Sequence, residues 1–98
     1  MLHIINKSPL TNSALESCLR VAQSGEILLI EDAVYAATSG NAFEGKIREA
    51  MGRLKVYVLQ PDLEARGLAD RIIAGISPVD YGGFVDLTTT SKNCQSWL

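Results

Sequence analysis

The sequence predicts an α/β fold, a three-layer α/β/α arrangement around a mainly parallel sheet. Three observations carry that prediction. Short apolar runs at 2–5, 26–30 and 54–59 alternate with segments of helical periodicity, the order that calls for parallel strands joined by right-handed crossovers. The run Ile27-Leu28-Leu29-Ile30 is continuous rather than alternating, as in a strand covered on both faces. The 98 residues, 47% hydrophobic and 20% charged, suit a single domain over residues 1–98 with one core.

Leu2-His3-Ile4-Ile5 reads as the first strand, and Asn6-Lys7-Ser8-Pro9 as the turn that stops it, since Pro9 has no N–H for a ladder. A helix follows. Ser13 and Glu16 have capping-box spacing, Leu15, Cys18, Leu19 and Ala22 form its inner stripe, and Gly25 is placed for a left-handed C-terminal cap. After the second strand, Glu31-Asp32 break the apolar run and 33–37 reads as a short helix. A further helix is expected over 41–51, with Ala42, Phe43, Ile47, Ala50 and Met51 facing inward and Gly52 ending it. Leu54-Lys55-Val56-Tyr57-Val58-Leu59 is the third strand. Residues 60–67 make a compact helical turn, with Pro61 suited to its first position and Asp62 and Glu64 to its positive end. Residues 76–81 read as an edge strand because Pro78 excludes a central one, 84–87 as a last helix, and 91–98 as a tail.

In such a sheet the carboxyl ends of the strands form the functional edge, here Asn6-Lys7-Ser8, Glu31-Asp32 and Gln60-Pro61-Asp62. Several chemistries fail there. The loop after the first strand has no glycine and loses a donor at Pro9, which argues against a phosphate or flavin cradle. A receiver domain would want carboxylates where Asn6 and Gln60 stand. No Walker lysine, dinucleotide glycine pattern or zinc spacing occurs, so no cofactor or metal is expected. His3, the one histidine, sits in a strand, a core or sheet-edge position rather than one for acid–base work. Glu31 and Asp32 read as a solvated strand end or a helix cap, and Lys46, Arg48, Arg53 and Lys55 as a wet face. A net charge of −2 gives little grip on nucleic acid, and no apolar run approaches the ~20 residues of a membrane span. The first residues lack the regions of a secretory signal, so a cytoplasmic setting and reduced thiols are expected. Cys18 lies on the apolar stripe, where a buried, inert thiol belongs, and Cys94 near Lys92 reads as an exposed tail thiol.

Several segments, taken in order, resemble the DsrH/TusB family: His3-Ile4-Ile5-Asn6-Lys7-Ser8-Pro9, Leu28-Leu29-Ile30-Glu31-Asp32-Ala33-Val34-Tyr35-Ala36-Ala37, Tyr57-Val58-Leu59 with Asp62-Leu63-Glu64-Ala65-Arg66-Gly67, Asp80-Tyr81 with Phe84-Val85-Asp86-Leu87, and Trp97. Each motif is weak alone; the ordered set is specific. The resemblance implies a DsrE/F/H-like fold, flavodoxin-like in outline, and a place in a sulfurtransferase complex. There two paralogous subunits, of DsrE/TusD and DsrF/TusC type, join this one in two copies of each chain. Persulfide sulfur then passes to a small DsrC/TusE-type carrier, for tRNA wobble-uridine 2-thiolation or for dissimilatory sulfur oxidation. The resemblance assigns the main sulfur-carrying cysteine to the DsrE/TusD-type partner and makes this chain an accessory subunit. It also makes Cys18 a candidate sulfur carrier, because members from sulfur oxidisers tend to have a cysteine in this helix, and so leans toward that branch. The inert and the sulfur-carrying readings of Cys18 both stand at this point, as does a stand-alone flavodoxin-like ligand-binding module using the edge from Asn6 to Ser8. Phe43, Tyr81, Phe84 and Trp97 are candidates for partner contacts; core burial is expected of the first three and exposure of Trp97.

Overall fold

Parallel pairing of short apolar strands organises the structure, a computed structural model that describes residues 1–97. Five strands, β1 (Leu2–Ile5), β2 (Gly25–Leu29), β3 (Leu54–Leu59), β4 (Ser77–Val79) and β5 (Cys94–Trp97), lie in the order β4-β3-β2-β1-β5, and every pair is parallel. The connections from β1 through to β4 all step in one direction. Right-handed crossovers therefore put α1 (Ala14–Val21), the 3-10 helix Glu31–Ala37, α2 (Glu44–Ala50) and α3 (Gln60–Ala65) on one face. The return from β4 to β5 runs back across the sheet and puts α4 (Tyr81–Thr90) on the other.

The register shows why these strands are apolar on both sides. Ile5, Leu29 and Val58 align across β1, β2 and β3 and join the main core with Ile27, Val56, Leu15, Leu19, Val34, Ile47 and Leu63. Leu2, Leu28 and Leu59 alternate to the α4 face and are also buried. Each such side chain contributes roughly 1.5–3 kcal/mol when fully removed from water.

Local details depart from the sequence expectations where tertiary contacts override them. The capping box at Ser13 does not form. Asn12 Oδ1 accepts the Ala14 N–H at 2.7 Å instead, while Glu16 turns across to Lys46 Nζ at 3.2 Å. Gly25 is left-handed (φ +109°) but opens β2 rather than capping α1. A side chain there would collide with the Met1 carbonyl, which accepts the Glu26 N–H. Residues 33–37 belong to a longer 3-10 helix. The helix expected over 41–51 shortens to Glu44–Ala50, because Asn41 turns its side chain onto the Tyr35 and Thr38 carbonyls and the Phe43 N–H. Ile47 and Ala50 are buried as expected, whereas Ala42 is exposed and Phe43 and Met51 are half-buried. Pro61 lies in the first turn of α3, and β4 is an edge strand. The last helix runs well beyond 84–87, capped by Asp80 Oδ1 on the Gly83 N–H at 2.8 Å.

The expected tail is the largest correction. Cys94–Trp97 forms β5, paired along its length with β1. Its side chains before Trp97 are exposed, so no apolar run announces it. Trp97 is half-buried against the main core, and its indole N–H donates to His3 Nδ1 at 3.1 Å. That bond requires an unprotonated Nδ1. Burial, with help from the Met1 ammonium, holds the His3 pKa below its ordinary value. With the folded pKa lowered, the stabilisation is present above the ordinary imidazole pKa of ~6.5 and is lost as the pH falls through the folded value. Stability should therefore decline on acidification below about pH 6.5, read by the fluorescence of the single tryptophan. His3→Phe should remove that dependence, and an unchanged acid profile in this variant would refute the role given to His3.

Candidate functional site

The carboxyl ends of β1, β2 and β3 are joined by a polar network. Asn6 Nδ2 donates to Glu31 Oε2 at 3.4 Å, linking the exits of β1 and β2. Glu31 takes the left-handed conformation (φ 51°), uncommon for a residue with a side chain, and its N–H donates to Asp62 Oδ2 at 2.6 Å. Such backbone strain costs of order 1–3 kcal/mol, and a hydrogen bond to a charged acceptor contributes about 1.5–3 kcal/mol, so Asp62 offsets the conformation it faces. Arg66 closes the network: its Nη2 lies 2.9 Å from Asp32 Oδ1 and its Nη1 donates to the Asp62 carbonyl at 3.2 Å. The three segments that the sequence places at this edge are thus brought together. The Asp62–Glu31 and Arg66–Asp32 links are new, since they join residues 31 and 34 positions apart without any local signal.

This edge has the chemistry of a shaped polar surface. Ser8 makes an ordinary turn, its Oγ accepting the Leu10 N–H and its carbonyl accepting the Thr11 N–H. Two clefts open elsewhere. One of about 360 Å³, lined by Met51, Arg53, Lys55 and Gly75 among others, sits at the amino end of β3; a smaller groove runs between α1 and α2. Among the described residues no group of three or more His, Cys, Asp or Glu side chains is arranged to hold a metal ion. The four basic residues read as a wet face are dispersed: Lys46 pairs with Glu16, Arg48 with Glu44, Arg53 with Glu49 and the Leu19 carbonyl, and Lys55 lies over the Tyr57 ring.

Neither thiol reaches this edge. Cys18 is fully buried in the main core, and desolvation pushes its pKa up to about 11. A thiol in that setting is neither exposed nor ionised near neutrality, the two conditions for a nucleophilic sulfur carrier. Cys94 is exposed but pairs with Leu2, at the opposite, amino end of the sheet. Of the proposed contact aromatics, Phe43 and Phe84 are half-buried. Tyr81 is 62% exposed against the expectation of core burial, and Trp97 is held by His3 rather than free.

The DsrH-like protein family profile matches residues 7–94. The chain belongs to the DsrH family. It is 43% identical to protein TusB of Escherichia coli O1:K1, with 99% of this chain and all of that protein aligned, and 42% identical to protein TusB of Shigella flexneri over the same shares. In fold it is similar to the ychN protein of E. coli, with a TM-score of 0.80 at 17% identity over 98% of this chain and 97% of that one. It is also similar to MTH1491 of Methanobacterium thermoautotrophicum, with a TM-score of 0.68 at 18% identity over 97% and 95% of the two chains. Among the described residues no helix is long and apolar enough to cross a membrane.

Two predictions follow from the site's geometry. A thiol reagent applied to the native DsrH-family chain near pH 8 should label Cys94 rapidly and Cys18 only on unfolding. Prompt labelling of two thiols per chain would contradict the burial of Cys18. Asp62→Ala should cost about 1–2 kcal/mol in denaturant unfolding, and Glu31→Gly in that background should restore part of it by relieving the left-handed backbone.

Proposed function

We propose that this chain is an accessory subunit of a sulfurtransferase relay serving 2-thiolation of the wobble uridine of tRNA, and that it contributes docking surface rather than a sulfur-carrying thiol. One observation carries the reading: the functional edge of the sheet is built from carboxylates, amides and an arginine, while both cysteines lie away from it. A carrier thiolate must attack the sulfane sulfur of a persulfide in line and displace the donor thiolate, which demands an exposed, ionisable donor. In this proposal a paralogous DsrE/TusD-type subunit supplies that donor, a DsrF/TusC-type subunit completes the assembly in two copies of each chain, and a small DsrC/TusE-type protein receives the sulfur. The setting is cytoplasmic. Full-length similarity to TusB proteins supports the tRNA branch. The lean toward sulfur oxidation rested on Cys18 as a carrier, and the burial of that thiol leaves it without support.

The test is a complex co-expressed with the two paralogous subunits and assayed for sulfur transfer to tRNA. With Cys18→Ala and Cys94→Ala combined, the hetero-oligomer should assemble and transfer sulfur at a rate within about threefold of the unmodified complex, since a variant far from the reacting atoms leaves the chemical step alone. Loss of transfer by an intact complex, or a gain of about 32 Da on Cys18 after incubation with a sulfur donor, would overturn the reading.

A further inference from the structure

Helix α4 is the one long element that the chain leaves half-covered. None of its ten residues is buried, although it is the layer that covers the second face of the sheet. It seats closely on β4, since a side chain at Gly83 would press against Val79, and Phe84 and Leu87 turn inward only as far as half-burial. Tyr81 and Val85, one turn apart, remain 62% and 55% exposed. Thr88 and Thr89, three and four positions beyond Val85, extend this stripe. The hydroxyls of Thr88, Thr89 and Thr90 donate back to the carbonyls of Val85 and Asp86, at 2.8, 3.1 and 2.7 Å. With those hydroxyls occupied locally, their methyl groups are left for contact, and covering them sacrifices few bonds to water.

Charge indicates what covers the stripe. Residues 72–91 contain no Lys, Arg or His, and their two charged residues, Asp80 and Asp86, are both exposed and flank Tyr81 and Val85 along the helix. A second copy packing its own α4 against this one would bring like charges together across a low-dielectric contact. A partner with an apolar patch rimmed by Lys or Arg would pair them.

We infer that the Tyr81–Val85 face of α4 is the surface on which this chain binds a paralogous subunit whose matching apolar patch carries a basic rim. This inference rests on the proposed membership of a three-subunit relay and names the face through which that membership is made.

The experiment uses the full chain, tagged and co-expressed with the two paralogous subunits. Val85→Glu and Tyr81→Glu lie on exposed positions and should leave the circular dichroism and melting of the isolated chain unchanged. Each should lower the recovered partner by roughly tenfold or more, as truncation at the centre of an interface does. Asp86→Lys should weaken recovery most at low salt, where unlike charges attract best. Recovery of partner unchanged by all three variants, with the unmodified chain still assembling, would overturn the inference and leave the relay reading standing. An unmodified chain that recovers no paralogue would overturn the relay reading itself. A homodimer of the isolated chain, abolished by Val85→Glu, would replace the inferred occupant with a second copy.

Discussion

The pairing of β1 on both its edges is the constraint on which the rest of the structure depends. β1 has only four residues, yet it binds β2 on one side and β5 on the other, and so makes one sheet of segments more than ninety positions apart in sequence. A buried parallel ladder leaves its central strand no route to water for N–H and C=O groups, so both neighbours are obligatory. The order β4-β3-β2-β1-β5 then dictates which helices share a face. Three helical connections fall on one side and build the main core; α4 alone falls on the other and stays half-covered. The asymmetry between a thick face and a thin one is thus a consequence of connectivity, before any side chain of α4 is considered.

Much of this was legible in the residues. β1, β2 and β3 could be read because strands covered on both faces must be apolar nearly throughout, and Pro78 correctly put β4 at an edge. Leu15, Cys18 and Leu19 recur at helical spacing because α1 has a single side to bury. What escaped the reading had non-local causes. β5 is polar, and only its ladder to β1 and the bond from Trp97 to His3 identify it as a strand. The capping box at Ser13 had the right spacing, but Lys46, thirty positions away from Glu16, takes its carboxylate, and the side-chain cap of the first turn comes from Asn12 on the Ala14 N–H. The positive φ at Gly25 was foreseen for the wrong reason: the Met1 carbonyl lies where a side chain would go, a contact between strands rather than a helix cap.

The candidate site was legible as a place and not as a mechanism. The three segments at the carboxyl edge follow from strand ends alone, but Asp62 holding the strained Glu31 depends on how β2 and β3 exit the sheet side by side. A left-handed residue with a side chain persists only where its surroundings enforce it, and here they combine a carboxylate on its N–H with an arginine bracing the neighbouring Asp32. The result is a rigid, net acidic rim with no nucleophilic thiol in it. Preorganised polar groups of this kind fix the approach of a partner as readily as they position a reactant.

Cys18 shows why a family resemblance and a physical reading have to be weighed residue by residue. The resemblance makes it a candidate sulfur carrier, yet its position lies on the stripe that packs α1 against the sheet. Moving its thiolate into water would require opening α1, since Leu15, Cys18 and Leu19 are buried together on one face. That opening exposes two leucines along with the sulfur, at a cost of roughly 3–6 kcal/mol from their burial alone. The alternative, ionising the thiol in place, is opposed by the burial that pushes its pKa up to about 11. Against either route a sulfur that never leaves the core is the less costly state, and what the fold leaves open to solvent is the acidic rim at one edge of the sheet and the half-covered helix on its thin face.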